Sequence, residues 1–366
     1  MIVLTLNAGS STLKGHVVEG ERVLATNAIS WGPAAEDRAD AADRMIEKLL
    51  GERALRAGSL GAVAHRVVHG GTRFTAHTVL DDETVEAITA ASDLAPLHNA
   101  AALAAMRVAR RRLPDLPHVA CFDTAFHATL SEIARREPVP EAWRELGIRR
   151  FGFHGLSVEW SVGRAAALLG REAADLQLIV AHLGGGASVT AVNGGASAWS
   201  SMGYTPNDGI MMGSRSGSLD PAIVTEMIER HGLSPAAVAT ALEHEAGLTG
   251  VSGRSADVRE LETAAAADPR ARLALDLFAA RAAAGISGAA TWLPHVDGVV
   301  FTGGIGENAG RVRAAVVGRL AVLGLTPINE VESGRDRVLA AGAPASLRIE
   351  AREELVMAEA ARRLAA

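Results

Sequence analysis

From Ile2 to Leu6 the side chains are almost all apolar, and after a turn of Asn7, Gly9, Ser10 and Ser11 strand-like sequence resumes through Val18. A short apolar run bounded by small turn residues reads as a buried strand. Continued along the chain, the pattern predicts a further strand at Val23–Ile29, a helix over Ala34–Leu50 and a strand at Ala62–Val68. Helices near Asp82–Ala91 and Asn99–Arg112 and a strand at Val119–Phe122 follow. The second half opens with a helix after Ser157 and repeats the strand–turn–strand pattern at Leu178–Val192. Helices near Asp220–Arg230, Ala256–Ala265 and Arg270–Leu293 lead to a strand at Gly298–Thr302, a glycine-rich turn and another helix. A strand near Ser346–Glu350 and a helix at Glu353–Leu364 close the chain. The order is α/β, with strands clustered at the front.

The first hairpin has an echo. Under a shift that lays Ile2 on Ile179, Val3 falls on Val180, Leu6 on Leu183, Gly9 on Gly186 and Ser11 on Ser188. Turns of Gly, Ser and Asn leave backbone N–H groups and hydroxyls available for phosphate. Two of them half a chain apart suggest a duplicated fold that grips a polyphosphate; two ordinary β-hairpins are the plainer alternative.

With 366 residues, 48% hydrophobic and 21% charged, the chain is long enough for two domains with real cores. A net charge of −6 gives no footprint for nucleic acid. Arg110, Arg111 and Arg112 read as a solvated helix C-terminus. One cysteine, Cys121, excludes an intrachain disulfide and a cysteine-based metal site. The N-terminal strand of about six apolar residues lacks a basic leader and does not read as a signal peptide. No apolar run reads as long enough for a membrane span, since Leu273 to Leu293 carries Asp276 and Arg281. The expectation is a reducing cytoplasm.

Candidate chemistry lies at strand ends. Strand alternation puts Arg66 and Val68 on one face and His65, Val67 and His69 on the other. A fixed cation beside an aliphatic wall suits a small carboxylate with a short apolar tail. The His65/His69 pair lacks a third metal ligand. Asp123 directly follows a buried strand, where open α/β sheets bind ligands, or else caps a helix. His154 sits among glycines in the Arg149–Gly155 loop, and Arg215 lies isolated between Gly213 and Gly217. Asp220 before Pro221 reads as a helix cap. Gly304, Gly306 and Ala309 fit a dinucleotide fingerprint, with Glu330 near the spacing of its ribose-binding acid, so a nicotinamide oxidoreductase competes with a turn for nucleotide phosphates or adenosine. Glu353 and Glu354 open the last helix as dipole-compensating acids or as hard ligands for Mg²⁺.

Together these segments closely resemble the acetate and butyrate kinase family. The resemblance runs through Val3–Lys14, His65–Gly71, Leu94–Asn99, Phe122–His127, Phe151–Gly155 and Ile179–Gly195, and through the stretches around Arg215, Asp257, Gly304 and Glu353. It implies two duplicated actin-like (ribonuclease H-like) α/β domains with a nucleotide cleft. Residues 1–127 plus 354–366 would form the first domain, and 128–353 the second, carrying the nucleotide site and a homodimer interface. The implied reaction is reversible transfer of the ATP γ-phosphoryl group to acetate, giving acetyl phosphate and ADP, with Mg²⁺ or Mn²⁺.

Within that resemblance Arg66 and Arg215 would hold acetate and the transferring group, His154 would donate to the transition state, and Asp123 would orient the reacting groups or the metal. Asn7 and Glu353 would hold Mg²⁺. Val68, Leu97, Phe153 and Pro206 would form the acyl pocket. Lys14, His182, Leu183, Gly184, Gly185 and Gly186 would line the phosphates. Asp257, Val258 and Arg259, with Gly304, Ile305, Gly306, Glu307 and Asn308, would hold adenosine and the inner phosphates. Three positions depart from the pattern: Gly185 stands where the family usually has Asn, Thr12 replaces the commoner Ser, and Ala100 follows His98-Asn99 in place of Pro. A propionate or butyrate kinase is the nearest alternative, and a non-catalytic actin-like assembly protein a more distant one. The Arg66, Asp123, His154 and Arg215 set argues against the last.

Overall fold

The computed structural model describes residues 1–9, 12–32, 34–51, 60–94, 96–329 and 334–366. They divide into two compact units. Met1–Ala128, Phe153–Trp160 and Arg352–Ala366 make up the first, Thr129–Gly152 and Ser161–Ala351 the second.

The first unit is built on a six-stranded sheet of β1 (Ile2–Ala8), β2 (Thr12–Glu19), β3 (Arg22–Ser30), β4 (Leu60–Val67), β5 (Thr78–Val79) and β6 (His118–Phe122), in the order β3-β2-β1-β4-β6-β5. β1, β4 and β6 run parallel; the other pairings are antiparallel. Alternation sends Leu4, Leu6 and Val63 into a core with buried residues of the helices Ala35–Gly51 and Pro96–Arg112. It sends Val3, Ala62, Ala64, Val119 and Cys121 against the helix Glu353–Leu364. Helices cover both faces, which is why these strands read as continuous apolar runs.

The second unit repeats the design. Its strands are β7 (Gln177–Leu183), β8 (Ala187–Asn193), β9 (Ala196–Ser200), β10 (Gly298–Thr302), β11 (Arg337–Ala340) and β12 (Ala345–Arg348), in the order β11-β12-β10-β7-β8-β9. Here β7, β10 and β12 are parallel and the remaining pairings antiparallel. Strand for strand this is the first sheet again. The duplication is real, but the register read from the sequence is displaced. β1 ends at Ala8 and β2 starts at Thr12, whereas β7 ends at Leu183 and β8 starts at Ala187, so Gly9 corresponds to Gly184 rather than Gly186.

Three short strands escape the hydropathy pattern. β5, β9 and β11 are largely half-buried or exposed and carry little alternation. The helix expected from Asn99 starts at Pro96, whose fixed φ suits a first helical turn. The helix Pro269–Ala290, at 22 residues, is long and apolar enough to span a membrane by length and composition, contrary to the sequence reading. It nonetheless buries Ala271, Ala274, Phe278, Ala282, Ile286 and Ala289 within the second unit, as a core helix does.

Candidate active site

In the first unit the carboxyl ends of the parallel strands carry the charged groups. Arg66, the penultimate residue of β4, donates from Nε to Asp123 Oδ1 at 2.9 Å and from Nη2 to Oδ2 at 2.6 Å. This paired geometry is the strongest form of an Arg–carboxylate contact. The third arm, Nη1, donates to Asn7 Oδ1 at 3.1 Å. Asn7 Nδ2 in turn donates to Glu353 Oε2 at 2.7 Å, and that oxygen lies 4.0 Å from Arg66 Nε. Four residues from β1, β4, the end of β6 and the first turn of the last helix thus form one network.

Its electrostatics follow from burial. Asp123 is 1% exposed, and burial pushes its carboxyl up while the charge and hydrogen bonds of Arg66 pull it down. Arg66 is held above its ordinary value: burial opposes its charge, and the Asp123 and Glu353 carboxylates outweigh that effect. Asp123 therefore sits as a locked counter-ion, and the helix-cap alternative falls away.

A strained segment closes over Asp123. His154 has φ +57°, the one non-glycine positive φ among the described residues. Such a conformation costs about 1–3 kcal/mol and persists only where its surroundings dictate it. Here the His154 backbone N–H bonds the Asp123 carboxylate, and the Gly155 N–H bonds the Asp123 carbonyl at 2.9 Å. A Cβ on Gly155 would stand 2.2 Å from that carbonyl oxygen, so no other residue fits. Phe153, just before, gives its carbonyl to His127 Nε2 at 2.9 Å. His127 is fully buried, and burial drives its pKa down to about 4 against the favourable carbonyl contact. It is thus a neutral donor at physiological pH.

Val68 and Phe153 are both buried, and the Phe153 ring meets the His69 ring edge-on at a centroid separation of 5.3 Å. β4 ends at Val67, so the face assigned to Val68 by strict alternation extends past the strand. Asn99 closes this end of the strand, accepting from His69 N at 3.2 Å and donating to His69 O at 3.0 Å. The Leu94–Asn99 stretch carries no sequence signal of this clamp, which depends on a partner 30 residues away. Leu97 lies in the first turn of the same helix, and its side chain is outside the described residues. His65 is no metal ligand with His69: its Nε2 meets His118 Nδ1 at 2.9 Å in a buried pair. Lys14, exposed on β2, stands opposite Asn7.

The other sequence-derived residues belong to the second unit. His182 and Leu183 are the last two residues of β7, and the Gly184–Gly186 turn follows. Nothing lies within 4 Å of a Cβ placed on Gly185, so the missing Asn is not a steric necessity. Gly303 follows β10 at φ +77°, with a would-be Cβ 2.8 Å from the Leu183 carbonyl and 3.0 Å from His182 Nε2. The glycine is what lets the two turns approach each other. Gly304, Ile305, Gly306, Glu307 and Asn308 form the short helix after it. Within that helix Glu307 accepts from Ala351 N at 2.9 Å, and Asn308 donates to Gly304 O at 2.9 Å. Asp257 caps the helix containing Val258 and grips Arg259 at 2.6 Å. Arg215 donates to the carbonyl of buried Pro206 at 3.0 Å. Asp220 caps its helix as read. The dinucleotide alternative fails on topology, because β7, β8 and β9 are antiparallel neighbours where a dinucleotide fold is mostly parallel. Glu330 lies outside the described residues.

The repeated mixed sheets define a duplicated fold of the actin, Hsp70 and sugar-kinase type. The sequence model of the acetokinase family matches residues 30–359, and the chain belongs to that family. It is 46% identical to an acetate kinase of Deinococcus radiodurans over 98% of this chain and 96% of that protein. It is 40% identical to a propionate kinase of Citrobacter rodentium over 99% of this chain and 96% of that protein. The crystal structure of Porphyromonas gingivalis acetate kinase matches with a TM-score of 0.90 at 30% identity, covering 99% of each chain.

Proposed function

We propose that this chain is an acetate kinase, transferring the γ-phosphoryl group of ATP reversibly to acetate. The observation that carries the reading is the Arg66–Asp123 pair, tied to Asn7 and Glu353 and close in sequence to buried Val68. In the forward step an acetate oxygen bonds to the γ-phosphorus as the bond from that phosphorus to the β-phosphate bridging oxygen breaks. Acetate and ATP carry the same total charge as acetyl phosphate and ADP, so no net proton moves and no general base is needed. That accounts for an Asp123 with both oxygens given to Arg66: it fixes the guanidinium. The chemical problem is repulsion between anions, which Arg66 and Arg215 offset, with His154 donating to the transferring oxygens.

Among the described residues no three His, Cys, Asp or Glu gather as a metal site. Mg²⁺ keeps waters and substrate phosphates and needs only one or two protein oxygens. Asn7 and Glu353, linked at 2.7 Å, fit that limited role for Mg²⁺ or Mn²⁺ arriving with ATP. The ion would neutralise phosphate charge. Lys14, His182 to Gly186, Asp257 to Arg259 and Gly304 to Asn308 would bind the nucleotide. The exposed apolar side chains Ile223, Leu233 and Leu273 of the second unit support self-association there, and a cytoplasmic setting belongs to the same reading.

Propionate is the second reading, favoured by the propionate kinase relative. Purified protein with ATP, Mg²⁺ and acetate, propionate or butyrate, with acyl phosphate trapped by hydroxylamine, tests both. Acetate should give the highest kcat/KM; no hydroxamate from any acid would sink the kinase reading.

A further inference from the structure

Away from these residues, the first unit holds a cavity of about 480 Å³ between the helix Pro96–Arg112, the segment Val79–Asp82 and the loop leading into β6. A cavity of this size lies within the range of small-molecule sites. Arg107, Arg110 and Arg111 of the helix line it; Leu116 and Pro117 supply apolar surface, and His118 also lines it. Arg110 is paired with Asp82 at 2.8 Å. Arg107 and Arg111 have no ion pair among the described residues, although they stand one helical turn apart. Like charges at that spacing destabilise a helix. Compensation of the helix dipole explains cations in the last turn, but neither Arg107, a turn earlier, nor the cavity in front of them.

We propose that this cavity is a second anion site, which takes a phosphate group carried on a small organic body. The phosphate would sit against Arg107 and Arg111, which present forked donors matched to its oxygens. The organic body would rest on Leu116 and Pro117. The site is built into the catalytic sheet. His118 is 4% exposed and begins β6, the strand that ends beside Asp123. Its Nε2 meets the Leu113 carbonyl at 3.0 Å, and its Nδ1 meets His65, the neighbour of Arg66 on β4. Three arginines line the cavity against one acid, Asp82, which is paired with Arg110; Asp43, the other acid that feels Arg111, is held by Arg112 and does not line the cavity, so a dianion meets an excess of positive charge there.

The proposal stands independently of the acyl substrate, because its test reads binding. Wild type and the Arg107→Gln/Arg111→Gln variant are titrated calorimetrically with AMP, phenyl phosphate and inorganic phosphate at low ionic strength. Both proteins are first saturated with Mg-ADP to occupy the nucleotide site. Wild type should bind one equivalent of AMP or phenyl phosphate, and the variant should bind about tenfold more weakly or worse, as expected from losing charge-assisted hydrogen bonds. Phenyl phosphate should bind wild type several-fold more tightly than inorganic phosphate. Equal affinity for the two would assign the site to free phosphate and overturn the organic body. Equal binding by wild type and variant would overturn the site. The variant should retain wild-type Mg-ADP affinity and thermal stability, which separates lost binding from lost folding.

Discussion

Replacing Arg66 by Met should separate the stability role of the Arg66–Asp123 pair from its chemical one. The variant leaves the Asp123 carboxylate, 1% exposed, without its guanidinium. At an effective dielectric of about 20, unit charges ~4 Å apart interact by about 4 kcal/mol. Removing one partner of a buried pair costs about 3–5 kcal/mol. Asp123 can escape part of that cost by taking a proton, since burial already drives its carboxyl upward. A raised acid holds its proton more tightly folded than unfolded. The variant's extra loss should therefore be smallest below pH of about 4, the unfolded carboxyl value, and grow as pH rises through the raised folded value. Urea denaturation of both proteins at pH 5 and pH 8 measures this, with the larger deficit expected at pH 8. The double variant Arg66→Met/Asp123→Asn removes the stranded charge and should regain most of the stability. Acyl hydroxamate formation should stay at least ~100-fold down in both, as expected when a transition-state cation is lost. A double variant no more stable than Arg66→Met would refute the buried-charge argument. Near-normal turnover in either would remove Arg66 from the chemistry.

Gly155→Ala forces a methyl to within 2.2 Å of the Asp123 carbonyl oxygen, so backbone must move. Activity should fall by more than ~10-fold with at least about 1 kcal/mol of stability lost, and a wild-type melting curve would show the contact to be soft. His127, driven down to about 4, is buried neutral. A depressed His binds more protons unfolded than folded. Its stability contribution is thus present above about pH 6.5 and lost as pH falls toward 4, by about 3 kcal/mol in all. His127→Gln should flatten that part of the stability profile, and an unchanged slope would show that His127 is not its source. Val68→Ala should move acyl preference toward propionate and butyrate by about 1–3 kcal/mol in relative kcat/KM; unchanged ratios would place the acyl tail elsewhere. Glu353→Gln should raise the Mg²⁺ concentration for half-maximal rate several-fold while leaving the melting temperature near wild type, and an unaltered Mg²⁺ dependence would detach Glu353 from the metal.

The strands that build the two cores were legible because both of their faces are covered, so apolar residues run on without gaps. β5, β9 and β11 were not, because edge strands with half-exposed side chains leave no such trace. Arg66 and Asp123 were visible as charges at the ends of buried strands. Their locking geometry was not, because it depends on Asn7 and Glu353 meeting across nearly the whole chain length. Asn99 and His127 were hidden for a related reason: each works by holding a backbone group of a loop distant in sequence. The displaced register of the hairpin echo has a different origin, since apolar strand residues are interchangeable along the alignment and only the strand ends decide it.

Duplication explains where the strand-end residues of the proposed site fall. In each sheet three strands run parallel, so their carboxyl ends share one edge, the edge at which open α/β sheets bind ligands. In the first unit that edge has been filled with polar and charged side chains: Asn7 on β1, Arg66 on β4 and Asp123 after β6. In the second unit the equivalent edge has been cleared. β7 runs into Gly184–Gly186 and β10 into Gly303–Gly304, leaving backbone N–H groups beside His182. Backbone donors suit phosphates of fixed geometry, whereas a locked guanidinium suits a small anion that must be held against its own repulsion. Under the proposed function one repeated strand plan would thus serve two different electrostatic tasks, set apart by the residues that stand at the strand ends.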